Sequence, residues 1–341
     1  MTAHAATHAG PGGRRAAALA GAPLLLGLLV LVFLWHIAVG AKPIPLGTVL
    51  AALTAPEPGN FDHVVIRDLR LPRAVYAVAV GASLSVAGAL IQGVTRNPLA
   101  EPGLLGLMAG ASVAVVLWVA LQGPGGSAAL PLVAALGALG GAALVWGLAG
   151  AAPGGVQPLS LILAGAAVTA FLGAIVTLAH LLDEQSFQSL RVWLNGTLSG
   201  RSWEVFLWGL PWFAGGLALA FVLARQVTAL AMGEEVAAGL GVDVARLKAL
   251  ALAAVVALTA ASVALAGPLG FVGLVIPHAA RLFVGADYRL IVPVSAVIGA
   301  IYLLGVDILA RVALAPLEIA TGLVTALAGG PVFVWLVRAR L

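Results

Sequence analysis

Arg70-Leu-Pro-Arg73 stands before 22 residues without a formal charge, Ala74 to Thr95, and Arg96-Asn-Pro-Leu-Ala-Glu-Pro-Gly-Leu-Leu-Gly106 follows them. A run of ~20 apolar residues rising ~1.5 Å each crosses the ~30 Å of hydrocarbon in a bilayer. The uncharged run is therefore long enough to span. Arginine and proline mark both of its ends, so each membrane face receives a cationic, conformationally stiff turn.

Composition extends this reading to the whole chain. Hydrophobic residues make up 62% of the 341 and charged residues only 9%, against about 25% charged in soluble domains. A soluble fold this large could not cover its surface with so few charges. The expectation is an all-α, polytopic membrane protein. Its 43 glycines suit close helix packing in lipid and its 8 tryptophans suit the interfaces. There are no cysteines, which excludes disulfides and thiolate chemistry. The net charge of +4 is spread over scattered arginines without a basic stripe, so no nucleic-acid partner is indicated.

Charge-free runs place the spans. From Pro102 to Leu182 no Asp, Glu, Lys or Arg occurs in 81 residues, and Gly123-Pro-Gly-Gly126 and Gly150-Ala-Ala-Pro-Gly-Gly155 divide that run. Ten spans are predicted, near 22–40, 74–94, 103–122, 129–149, 159–181, 205–224, 248–266, 271–284, 290–310 and 318–337. The division is a tail at 1–21 and one transmembrane domain at 22–338. The charge-free stretch from Ala16 to Ala41 is too long for a cleaved signal and reads as a retained first span. With the N-terminus inside, ten of the 17 Lys and Arg residues fall inside and seven outside. The positive-inside rule favours that orientation, with both termini cytoplasmic. Glycines at helical spacing, such as Gly81/Gly88 and Gly106/Gly110, read as packing positions.

Four separated motifs carry a resemblance. They are Arg70-Leu-Pro-Arg73 with its following span and turn, and Glu234-Glu-Val-Ala-Ala-Gly239 with Gly241 to Arg246. The others are Gly267-Pro-Leu-Gly-Phe-Val-Gly-Leu-Val-Ile-Pro-His278-Ala-Ala-Arg281, and Glu318-Ile-Ala-Thr-Gly322 with Gly329-Gly-Pro-Val-Phe333. In this order they resemble the FecCD-type permeases, the membrane subunits of ABC importers for ferric siderophores, haem and cobalamin.

The resemblance implies a homodimer with two copies of a separate ABC ATPase and a periplasmic or lipid-anchored binding protein, in the bacterial inner membrane. It assigns Arg70, Arg73 and Arg311 to docking of the binding protein, and reversing all three to glutamate is expected to weaken docking while sparing insertion. It assigns Glu234, Glu235, Gly239, Gly241 and Arg246 to coupling helices near 230–247, with a second short helix at 242–247. Asn97 and Leu99 match the turn that narrows the cytoplasmic exit. Spans five and ten would line the path. Where the family has proline the chain has Ala320, which suggests a straighter start to the last span. The cargo implied is a bulky iron complex, ferric siderophore first, with haem or cobalamin as alternatives.

The chain itself offers no catalysis. No Gly-Lys pair occurs, so a phosphate-cradling loop is missing. No cofactor or metal is called for, and ATP and Mg belong to the partner ATPase. His278 has no second donor at ligand spacing and reads as structural. His180 with Asp183 and Glu184 could meet a cation but lies at a span edge, where polar groups are ordinary. An ion-coupled secondary transporter is the alternative from another class, but it should carry carboxylates at mid-membrane. All 13 acidic residues here fall at or near predicted span ends.

Overall fold

The computed structural model describes residues 11–40, 42–122, 129–153, 155, 157–182 and 193–340. Thirteen α-helices are described: α1 (Pro11–Ala38), α2 (Leu46–Thr54), α3 (Phe61–Val64), α4 (Leu71–Thr95), α5 (Leu107–Gln122), α6 (Leu130–Ala151), α7 (Pro158–Leu182), α8 (Trp203–Ala231), α9 (Glu234–Gly239), α10 (Val244–Ala266), α11 (Val272–Val284), α12 (Tyr288–Val312) and α13 (Thr321–Arg340). Seven helical stretches are long and apolar enough to cross a membrane, and α5, α11 and α13 are shorter apolar helices. Together these are the ten expected spans. Gly123–Gly126, Asp183, Glu184 and Arg191 lie outside the described residues. The two ends of the bundle are called outer and inner as the arginines and lysines orient them.

α4 is the axis of the bundle, with α8, α10, α11 and α12 packed around it. Its burial follows from its small-residue faces. Gly81 lies against the backbone of Gly299 on α12, and Gly88 lies against the backbone of Gly273 on α11. A Cβ at either position would collide with main chain, which cannot rotate away. Lipid supplies no hydrophobic drive between helices, so such close approach is what holds the bundle. Replacing Gly88 with valine should cost about 3 kcal/mol or more, the upper range of overpacking. Gly147→Ala, whose Cβ would meet nothing, should be neutral. Melting of the two variants in detergent measures the difference.

Three expectations are corrected. The charged segment before α4 is helical from Phe61, and a π-helical turn at Val65–Arg70 leads directly into Leu71. The last span starts at Thr321, not 318. The Ile319 amide donates to the Ala310 carbonyl, which holds Glu318–Ala320 against α12 instead of in a helical start. Residues 242–247 form no separate short helix. Asp243 caps α10 by accepting the Arg246 amide, so that stretch is the entry to a long span. The short α11 is 13 residues, and the non-helical Gly267–Phe271 before it is buried or half-buried in protein. Irregular backbone is tolerated at membrane depth where protein, not lipid, surrounds it.

Candidate functional site

At the outer end, Arg73 on α4 reaches Asp307 on α12 through two bonds, Nε to Oδ2 at 2.8 Å and Nη2 to Oδ1 at 3.1 Å. Its third nitrogen, Nη1, donates to Glu318 Oε2 at 2.8 Å. Asp307 is fully buried and also meets His36 Nε2 at 2.8 Å and Thr321 Oγ1 at 2.8 Å. Arg311, one turn on, lies 3.5 Å from Asp307 Oδ2. Its other nitrogens donate to the carbonyls of His36 and Val39, each at 2.9 Å.

Arg70 donates to the carbonyls of Ile37, Ala38 and Lys42 at 2.9, 2.8 and 2.6 Å. The last carbonyls of a helix lack intrahelical partners and carry partial negative charge. Arg70 and Arg311 therefore complete the end of α1. The cluster ties α1, α4, α12 and the entry to α13 into one piece.

All three arginines expected to dock a partner are thus buried and bonded within the chain. They nevertheless line the floor of an outer cavity of about 390 Å³, together with Lys42, Arg201, Asp62, Asp68 and Glu318. Arg201 is the odd member. Its Nε has no hydrogen-bond partner, and burial pushes its guanidinium down to about 10. Among the described residues it is the cation in this cavity without a bonded acceptor. Sequence reasoning counted Arg201 only as an outer charge, because nothing local distinguishes a paired arginine from an unpaired one.

At the inner end, Gln92 of α4 donates to the carbonyls of Ala100 and Gly273, and Arg281 of α11 donates to Gln92 Oε1 at 2.7 Å and to the Tyr288 hydroxyl at 3.1 Å. His278 bonds one turn back, to the Leu274 carbonyl at 3.0 Å. The Glu101 carboxylate accepts the Phe271 amide at 2.5 Å, and burial raises its affinity for a proton while that bond lowers it. Phe271 itself has a left-handed backbone (φ 68°). Two of the sequence motifs therefore meet at the inner turn. Among the described residues no group of three His, Cys, Asp or Glu could hold a metal ion.

The turn at the expected gate is closed by its own asparagine. The Leu99 amide donates to Asn97 Oδ1 at 2.9 Å, and Arg96 adopts a left-handed conformation at the end of α4. Beside it stands α9. Glu234 bonds Lys248 at 2.8 Å and lies 3.7 Å from Arg96, and the Lys248 bond holds its carboxyl below the usual range. One carboxylate so links α9, α10 and the Arg96–Ala100 turn. Ala237 anchors the buried side of α9, while Glu235, Gly239 and Gly241 are exposed with Met232, Val236 and Leu240.

Known proteins match this architecture over nearly its full length. A family model described as the FecCD transport family covers residues 28–339. The chain is 42% identical over 283 residues to the probable siderophore transport system permease protein YfiZ of Bacillus subtilis strain 168, covering 82% of this chain and 84% of that one. It is 43% identical over 314 residues to the iron(3+)-hydroxamate import system permease protein FhuB of the same organism, covering 92% and 81%. Against the cobalamin import system permease protein BtuC of Halobacterium salinarum it is 40% identical over 278 residues, covering 82% and 74%. Among solved structures, an inward-facing conformation of a metal-chelate type ABC transporter superposes with a TM-score of 0.80 at 30% identity, covering 92% of this chain and 97% of that chain. Sequence motifs, helix order and packing converge with these relatives, and the chain belongs to the FecCD transport family.

Proposed function

We propose that this chain is the permease subunit of an ABC importer for a metal chelate in a bacterial inner membrane. It carries no ATPase of its own and works as a homodimer with two ATPase copies and a soluble binding protein. Both termini face the cytoplasm. Ferric siderophore is the cargo favoured, and haem or cobalamin is the alternative cargo for machinery of the same kind. Two of the relatives named above are a siderophore and a ferric-hydroxamate permease, which supports that order.

The observation that carries the reading is the join between α9 and the Arg96–Ala100 turn through Glu234. A compact helix with exposed apolar side chains can seat in a cleft of an ATPase and move as a rigid body. Its ionic tether passes that movement to the turn holding Asn97 and Leu99, which narrows the exit. Shifts in the ATPase then bias the permease between access states. The surfaces of α7 and α13 are largely exposed, as a path wall or a partner-facing surface would be. Uptake of ferric hydroxamate, haem and cobalamin by the reconstituted importer tests the cargo.

The docking point proposed for the binding protein is the outer cavity. Arg70, Arg73 and Arg311 give its floor a positive field, and Arg201, whose Nε has no partner among the described residues, offers a guanidinium that an entering carboxylate would satisfy. A desolvated charge pair at an interface is worth about 2 kcal/mol or more when broken, or about 30-fold in affinity. Arg201→Glu should therefore weaken binding-protein affinity at low salt by about that factor, and ATPase assembly should not change. Equal affinity for wild type and variant would remove the cavity from the docking face. The triple reversal of Arg70, Arg73 and Arg311 cannot serve as this test. Buried beside Asp307 and the end of α1, three glutamates would break the fold itself.

A further inference from the structure

At the inner end a second cavity, of about 690 Å³, opens between α8 and α10, with no residue of α4 in its lining. Arg225, in the last two turns of α8, and Arg246, in the first turn of α10, both line it and both are exposed. Neither forms an ion pair among the described residues. Asp243 shares the rim, with Oδ1 accepting the Arg246 amide at 3.0 Å. The three side chains leave the rim with one net positive charge. Toward the membrane the wall turns apolar, through Leu219, Leu250 and Val222, whose side chain is 71% exposed on a spanning helix.

We propose that this cavity binds an anionic phospholipid of the inner leaflet. The phosphate sits between the Arg225 and Arg246 guanidiniums, and an acyl chain lies in the slot walled by Leu219, Val222 and Leu250. The shape fits an amphiphile: two cations at the ends of two spans, above a lipid-facing apolar slot. Arginine holds phosphate bidentately and never loses its charge, so a headgroup satisfies both side chains, which Asp243, turned to the Arg246 backbone amide, leaves without an ion pair. A zwitterionic lipid brings its own ammonium and loses most of that attraction. Basic pockets between spans on the cytoplasmic side select anionic headgroups for this reason, at about 1 kcal/mol per Lys or Arg. The cavity also includes Leu240, Gly241 and Val242, which join α9 to α10. A lipid held there braces the joint between α9 and the bundle. Arg246, which the resemblance assigns to coupling, acts here as a lipid ligand instead, and the site depends on the span ends and the rim charges, independent of cargo.

The test is lipid retention by the full chain in neutral detergent, alone and assembled with its ATPase, read by native mass spectrometry. Phosphatidylglycerol and phosphatidylcholine with identical acyl chains are the probes. The wild type should hold phosphatidylglycerol about tenfold more tightly, and Arg225→Gln with Arg246→Gln should bring the two lipids within about twofold. Val222→Trp, which fills the slot and leaves the charges, should lower retention of both lipids. Equal retention of the two lipids by the wild type, or an undiminished preference in the double variant, would overturn the site. So would release of the lipid on ATPase assembly, because the cavity would then be part of the ATPase interface.

Discussion

Replacing Asp307 with alanine is expected to abolish recovery of folded permease. Asp307 is fully buried and accepts from Arg73, His36 and Thr321, with Arg311 beside it. Removing it leaves two guanidinium groups near the membrane, with one exposed carboxylate, Glu318, bonded to Arg73. Breaking a buried ion pair costs about 3–5 kcal/mol, because the stranded charge is neither hydrated nor paired. That is a large part of the 5–15 kcal/mol that stabilises a typical protein. Asp307→Asn keeps the shape and one acceptor oxygen, so it should be hurt less than the alanine variant. Yield of monodisperse protein and its melting temperature in detergent decide the matter. An alanine variant that melts within a few degrees of wild type would show that the cluster does not hold the outer ends of α1, α4 and α12 together.

The second large effect belongs to α9. A Cβ added at Gly239 meets nothing within 4 Å, and the position is exposed. Tryptophan there costs the isolated chain little, so any loss reports on a partner. Changing Glu234 and Glu235 to lysine acts differently. It sets a third cation beside Lys248 and Arg96, which cuts the tether between α9 and the Arg96–Ala100 turn. Both variants should insert and bind the binding protein normally, while uptake falls about tenfold or more, equivalent to about 1.4 kcal/mol of lost coupling. They should also differ from one another. Gly239→Trp should weaken ATPase assembly, whereas the double lysine variant should retain assembly and stimulated hydrolysis without matching uptake. Normal uptake in both would take the coupling role away from 234–241.

The spans were legible because lipid imposes a one-dimensional rule: every backbone polar group must be bonded within its own helix, so span length and charge show in the linear sequence. Capping at Asp243 was also local, but its consequence was not. The residues 242–247 have short-helix composition, and only the continuity with Ala251 onward makes them the start of a long span. Glycines at Gly81 and Gly88 were readable as packing positions, while their partners Gly299 and Gly273 lie about two hundred residues away.

The outer arginines divide the two kinds of information most sharply. Their placement at span ends, and their excess over what the positive-inside rule expects outside, are properties of the sequence. That Arg70 and Arg311 complete the end of α1, and that Arg73 takes Asp307 and Glu318, is not. His36 gave no sign of joining Asp307 across 271 positions. Sequence by itself determined which segments lie in lipid, which family they compose and where charge is concentrated, since these depend on composition and order along one chain. Tertiary structure decided which charges are spent and which stay open. Pairing depends on distance between helices that only packing brings together, and among the described residues it leaves Arg201 without an acceptor while Asp307 collects four neighbours.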